Sequence, residues 1–196
     1  MTTTRRSGMG FSLVEVLVSV ALLSIGLLGA TGMLLRAVRA GKEAATFNAA
    51  VGLVRDLSEK VRMNPGVAAG HGAANSYLVD RSADGAGTSA AITGGCAAPG
   101  AACDAAGLAA WDSDEWMRRV AKALPGARVR VCFDDAPWNA AAAEYAWTCS
   151  QTGRNLVAKL GWVSHADAAQ IQPQRELPPR LVMQLASGGA DGRDGS

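Results

Sequence analysis

The chain has 196 residues, of which 49% are hydrophobic but only 5% aromatic, and a formal charge of +2. This length suits one domain with extended elements better than two full domains, and the shortage of aromatics predicts a small, thinly packed core. Arg5 and Arg6 account for the whole net charge, so the remainder is neutral. It offers no long basic stripe, which argues against nucleic acid as a partner, because such binding rests on neutralising many phosphates.

Residues 11–35, FSLVEVLVSVALLSIGLLGATGMLL, are almost wholly apolar and lack proline. They exceed the roughly 20 helical residues that a bilayer core requires, so the segment reads as membrane-spanning. An ordinary secretory signal places its small-residue cleavage site after the apolar run. Here the small residue, Gly10, precedes it, which keeps the apolar helix on the mature protein. Glu15 is the anomaly within the span, because an ionised carboxylate near a bilayer core costs on the order of 3 kcal/mol and calls for a positive partner.

Arg5, Arg6, Ser7, Gly8, Met9, Gly10, Phe11, Ser12, Leu13, Val14 and Glu15 together resemble the type IV prepilin signature. A basic leader ends in glycine, an aromatic follows, and an acid stands five residues into the mature chain. The resemblance implies that prepilin peptidase cuts after Gly10 and methylates the new amino group of Phe11. It further implies that Glu15 aids insertion into a filament of other pilins, by pairing with a terminal amine. Arg36, Arg39 and Lys42 follow the span as Arg5 and Arg6 precede it, so the positive-inside rule is indecisive. The resemblance supplies the orientation: a single pass through the inner membrane, head in the periplasm, and later residence in the assembled pilus.

From residue 35 to 61 the pattern becomes amphipathic. Phe47, Val51, Val54, Leu57 and Val61 recur at three- and four-residue steps, predicting a stripe that faces the head. Lys42, Glu43, Arg55, Asp56, Glu59 and Lys60 are placed on the opposite face, with Asp56 and Lys60 as an i,i+4 pair. Asn64 and Pro65 end the helix, since the residue before proline is pushed out of helical geometry. If continuous over residues 11–62, the helix is about 78 Å long at roughly 1.5 Å per residue. Gly26, Gly29 and Gly32 within the span suit close helix packing in a membrane; local melting of this stretch on assembly is the other use.

Residues 66–110, rich in glycine and alanine, read as an irregular connector. Asp112 and Glu115 suggest a capping box, with Trp111 stapled onto Trp116, at the start of a short helix ending at Leu124. Calcium at Asp112, Asp114 and Glu115 is disfavoured, because six or more oxygen ligands are needed. After a Pro125-Gly126 turn, residues 127–134, 145–150, 156–164 and 180–186 read as strands of a small antiparallel sheet, with residues 151–155 turning one hairpin. Cys96, Cys103, Cys132 and Cys149 all follow the span, and an even count outside the cytoplasm suggests two disulfides. Their spacing lacks the close pairs of structural zinc sites. Three pairings are possible. Cys96 with Cys103 and Cys132 with Cys149 is favoured because each closes a short loop.

The expected organisation is therefore a leader over residues 1–10, a long helix over 11–62 whose membrane half is 11–35, a head over 63–186 and a disordered tail over 187–196. The expected class is α+β: a long helix packed on an antiparallel sheet, as in the pilin fold. His71 and His165 lack any local nucleophile or ligand motif, and no phosphate loop or nucleophile elbow is present. No catalysis, cofactor, metal or small-molecule substrate is expected. FSLVEVLVSVALLSIGLLGATG with the distal VRMNP is similar to the minor pilins called type IV pilus modification proteins, the PilV-like group. That similarity covers roughly the first third of the chain and implies a priming complex with other minor pilins, at the pilus tip. A minor pseudopilin of type II secretion shares the leader, Phe11 and Glu15, and is the alternative; a signal-anchored periplasmic binding module that never polymerises is the third reading.

Overall fold

The computed structural model describes residues 12–82, 95–98, 100–163 and 177–187. It separates into two compact units, residues 1–44 and 45–196. The first unit is helical throughout its described length, from Leu13. Helix α1, Leu13–Met63, continues into the second unit, where it meets the sheet.

In that second unit α1 buries Ala50, Val54, Leu57 and Val61. The stripe differs from the expected one at its start: Ala50 is fully buried, while Phe47 is 43% exposed. The Phe47 ring instead sits 6.1 Å from that of Trp162. The helix ends before Pro65, which opens the single turn α2, Pro65–Ala68. Strand β1, Val79–Ser82, arises inside the segment expected to be irregular. Helix α3, Ala105–Ala123, is capped by Asp104, whose carboxylate accepts the Gly107 N–H at 2.7 Å. It therefore starts seven residues before the predicted capping box. Asp112 and Trp116 are buried in its interior, so neither caps nor staples its start. The reason is compositional: the alanines and Leu108 ahead of Trp111 favour helix, and Asp104 satisfies an end N–H that sequence reading had assigned to Asp112.

Strands β2 (Arg128–Phe133), β5 (Asn155–Gly161) and β6 (Leu181–Ser187) complete an antiparallel sheet of order β1-β2-β5-β6. Val129 faces Leu160 and Cys132 faces Val157 across the β2–β5 ladder. Alternation sends Val129, Val131 and Phe133 with Leu156, Ala158 and Leu160 to the face against the helices. That face, with the α1 stripe, Tyr77, Trp116 and Val120, forms the core. The predicted strand 145–150 is reduced to β4, Glu144–Tyr145, paired with β3, Trp138–Asn139, in a separate ribbon. Residues 146–150 instead run past the far face of the main sheet, because their carbonyls are taken by Lys159 rather than by a ladder.

Candidate assembly interface

The apolar half of α1 is long and apolar enough to cross a membrane. Its large side chains are on the outside: Leu13, Leu28 and Met33 are each more than 70% exposed. The polar groups among them are satisfied within the helix. Ser19, Ser24 and Thr31 donate their hydroxyls to the carbonyls of Glu15, Val20 and Leu27 at 2.7, 2.7 and 2.8 Å. Such closure is what a lipid environment demands, since no water is available to replace it. A Cβ added at Gly26, Gly29 or Gly32 would meet nothing within 4 Å, leaving the helix surface low at these points for a neighbour to approach. Glu15, in the first turn, suits the positive end of the helix dipole and is exposed. Gly10 and Phe11, the expected processing residues, lie outside the described residues, as does His165.

In the head, Asp56 and Lys60 of the α1 face assigned to solvent meet α3, while Arg55 and Glu59 stay exposed as expected. Lys60 Nζ donates to Asp112 Oδ1 at 2.6 Å and lies 3.5 Å from Glu115 Oε2. Asp56, the expected partner of Lys60, pairs with Arg119 instead. Asp114 faces Arg81, so the acids considered for calcium all meet cations. Trp116 Nε1 donates to the Leu53 carbonyl at 2.7 Å. Asn64, from the VRMNP corner, donates to the Ala105 carbonyl at 2.7 Å and ties the end of α1 to the start of α3. Burial works to lower the Lys60 pKa, but the Asp112 hydrogen bond and the charges of Asp112, Glu115 and Asp56 outweigh it and hold the pKa above the usual lysine value. For the Tyr77 hydroxyl burial acts in the opposite direction and pushes the pKa up.

The far face of the sheet carries a second charge cluster. The Cys132–Cys149 disulfide closes the segment that returns across this face, and Cys96–Cys103 closes a smaller loop ahead of α3. Beneath the larger loop Lys159 is fully buried. Its ammonium donates to Asp134 Oδ2 at 2.5 Å, the Ala146 carbonyl at 2.8 Å and the Thr148 carbonyl at 2.6 Å. All three of its donors are thereby used. Asp134 Oδ1 accepts the N–H groups of Ala136 and Ser150 at 3.1 and 3.3 Å. Burial raises the Asp134 pKa, but the Lys159 hydrogen bond, the two backbone N–H groups and the Lys159 charge outweigh it, leaving the carboxyl below its ordinary range. Sequence reading missed this pair; its one signal was a lysine inside the apolar run Leu156 to Leu160. Gly153, at φ +88°, lets the chain turn back beside Asp135, whose carboxylate occupies the space a Cβ would take.

Among the described residues, no three His, Cys, Asp or Glu side chains are grouped to hold a metal. What the chain presents is an exposed apolar helix joined to a head braced by two disulfides. Two family models match the chain. One, for the prokaryotic N-terminal methylation motif, covers residues 10–31. The other, described as type IV pilin Tt1218, covers residues 32–114. No curated protein and no solved structure gives a match.

Proposed function

This chain belongs to the type IV prepilin family, and from that premise we propose that it is a PilV-like minor pilin. Prepilin peptidase removes residues 1–10 and methylates Phe11. The helix then holds the subunit in the inner membrane, with its head in the periplasm. From there the subunit joins other minor pilins in the complex that primes pilus assembly, at the tip. The observation that carries this reading is the long apolar half of α1, with one acid in its first turn and its large side chains exposed. Such a surface serves a subunit that moves from lipid to the helices of its neighbours. The VRMNP corner, which the resemblance to the PilV-like group rests on, is the joint where Asn64 holds α3.

Deletion of the gene, scored for surface pili and for secretion of extracellular enzymes, tests the assignment. Loss of pili with normal secretion is the expected result. Normal pili with failed secretion would move the chain to a type II secretion pseudopilus, which shares the leader, Phe11 and Glu15. Gly10→Ala, or more severely a bulky residue there, is expected to leave the leader attached, as read by the mass of the purified chain.

A further inference from the structure

The two edges of the main sheet are finished differently. At one, β6 breaks register between Leu156 and Val157 of its partner and gives the Leu185 carbonyl to the Ser58 hydroxyl of α1 at 2.9 Å. Both features blunt an edge against further pairing. At the other, β1 keeps an unbroken register with β2 over Val79–Ser82, and no described strand pairs with its outer side. Alternate residues of β1 therefore turn their N–H and C=O groups away from β2. On α3, Ala110, Ser113, Asp114 and Met117 fall at i, i+3, i+4 and i+7, one stripe of the helix. With Val79 and Arg81 of β1 they line a cavity of about 230 Å³. No described residue of β2 lines it, so it lies where a fifth strand would run beneath α3.

Ser113 marks this cavity as a site for a ligand. The residue is only 6% exposed, and its Oγ is buried with no hydrogen-bond partner among the described residues. Ser19 and Ser24 bond the carbonyls four residues back along their helix, whereas Ser113 leaves that of Ala109 alone and faces the cavity it lines. A buried hydroxyl is costly until something satisfies it. Arg81 and Asp114 stand 3.6 Å apart on the same wall, so the lining joins a cation, an anion and a hydroxyl with no net charge. A carboxamide matches that set: its oxygen accepts from Arg81 and Ser113, and its NH₂ donates to Asp114. Val79, Ala110 and Met117 cover an aliphatic stem. The volume lies below the roughly 300–1,000 Å³ of ordinary small-molecule sites, which suits one side chain of a longer ligand.

We propose that the outer edge of β1 and this cavity bind an extended segment of a partner polypeptide. Its main chain adds a fifth strand to the sheet, and its glutamine side chain enters between β1 and α3. The site is built from the head alone and is independent of which filament the chain serves.

Peptide binding to the full chain in detergent tests it. The probe is a labelled, end-capped Thr-Val-Gln-Val-Thr peptide, compared with versions carrying glutamate or leucine at the centre and with one N-methylated along its main chain. The glutamine peptide should bind and slow hydrogen exchange in residues 79–82. Glutamate or leucine should weaken binding about tenfold by leaving polar groups of the lining unmatched, and N-methylation should abolish it. Ser113→Ala should weaken the glutamine peptide about three- to tenfold. The same variant should leave the urea midpoint of the free chain unchanged or higher, because it removes a hydroxyl that has no partner. Equal binding of the three side chains, binding without protection of residues 79–82, or no binding at all overturns the proposal. So does a lower urea midpoint for Ser113→Ala, which would mean that another segment of the chain already fills the cavity. A dimer of the chain that the peptide dissolves would assign the edge to a second copy and overturn it as well.

Discussion

Helix α1 places the same residue types in two opposite settings. Leu23, in the apolar half, is 67% exposed, whereas Leu57, in the head, is 1% exposed. Charge follows the same division. The span keeps one acid at its first turn, while the head takes Lys60 and Lys159 inward and surrounds each with acceptors. The span thus exposes its apolar side chains, whereas the head packs most of its own inside the chain. All five tryptophans lie at or beyond residue 111, so tryptophan fluorescence reports unfolding of the head alone and separates the two regions.

The largest effect should come from Lys159→Ala, which strands a buried carboxylate. Breaking such a pair costs about 3–5 kcal/mol, visible as a lower midpoint in urea. The pH dependence should reverse with it. In the native chain the Asp134 pKa lies below the ordinary aspartate value of 3.8, so the pair's contribution is present above that value and is lost as pH falls through the lower folded pKa. In the variant, acid should stabilise the head by neutralising Asp134. A variant that still loses stability on acidification would show that Asp134 keeps another cationic partner. The Lys60 contribution runs the other way: it is present below 10.5 and is lost as pH rises through its raised folded value.

Leu57→Ala should cost about 2–5 kcal/mol by opening a cavity in the core. Trp116→Phe, which removes the hydrogen bond to the Leu53 carbonyl, should cost about 1 kcal/mol, with a smaller shift of the same melting transition. Leu23→Ala should fall within about 0.5 kcal/mol of no change. A large effect of Leu23→Ala on the fluorescence transition would erase the proposed distinction between an outward-facing span and a self-contained head.

Much of the fold was legible because it follows from local pattern. The apolar run, the break at Pro65 and the alternation in β2 and β5 each report the environment of a face. Less legible were contacts joining residues far apart in the chain. The acids at Asp112 and Glu115 have the local spacing of a helix cap, and only the placement of α3 against α1 shows that Lys60 claims them. Lys159 reads as a misfit in an apolar strand until Asp134 and the carbonyls of Ala146 and Thr148 are brought around it. For the assembly surface, Glu15 was legible as an unpartnered acid, whereas the exposure of the whole apolar half had to come from the structure.

The sequence alone determined that this protein has an apolar helix with one acid near its start, an amphipathic continuation, and an antiparallel sheet, since hydrophobic period and chain length set these directly. Tertiary structure decided which charges are buried and with whom. Burying a charge depends on acceptors arriving from several elements at once, and no local stretch of chain specifies that convergence.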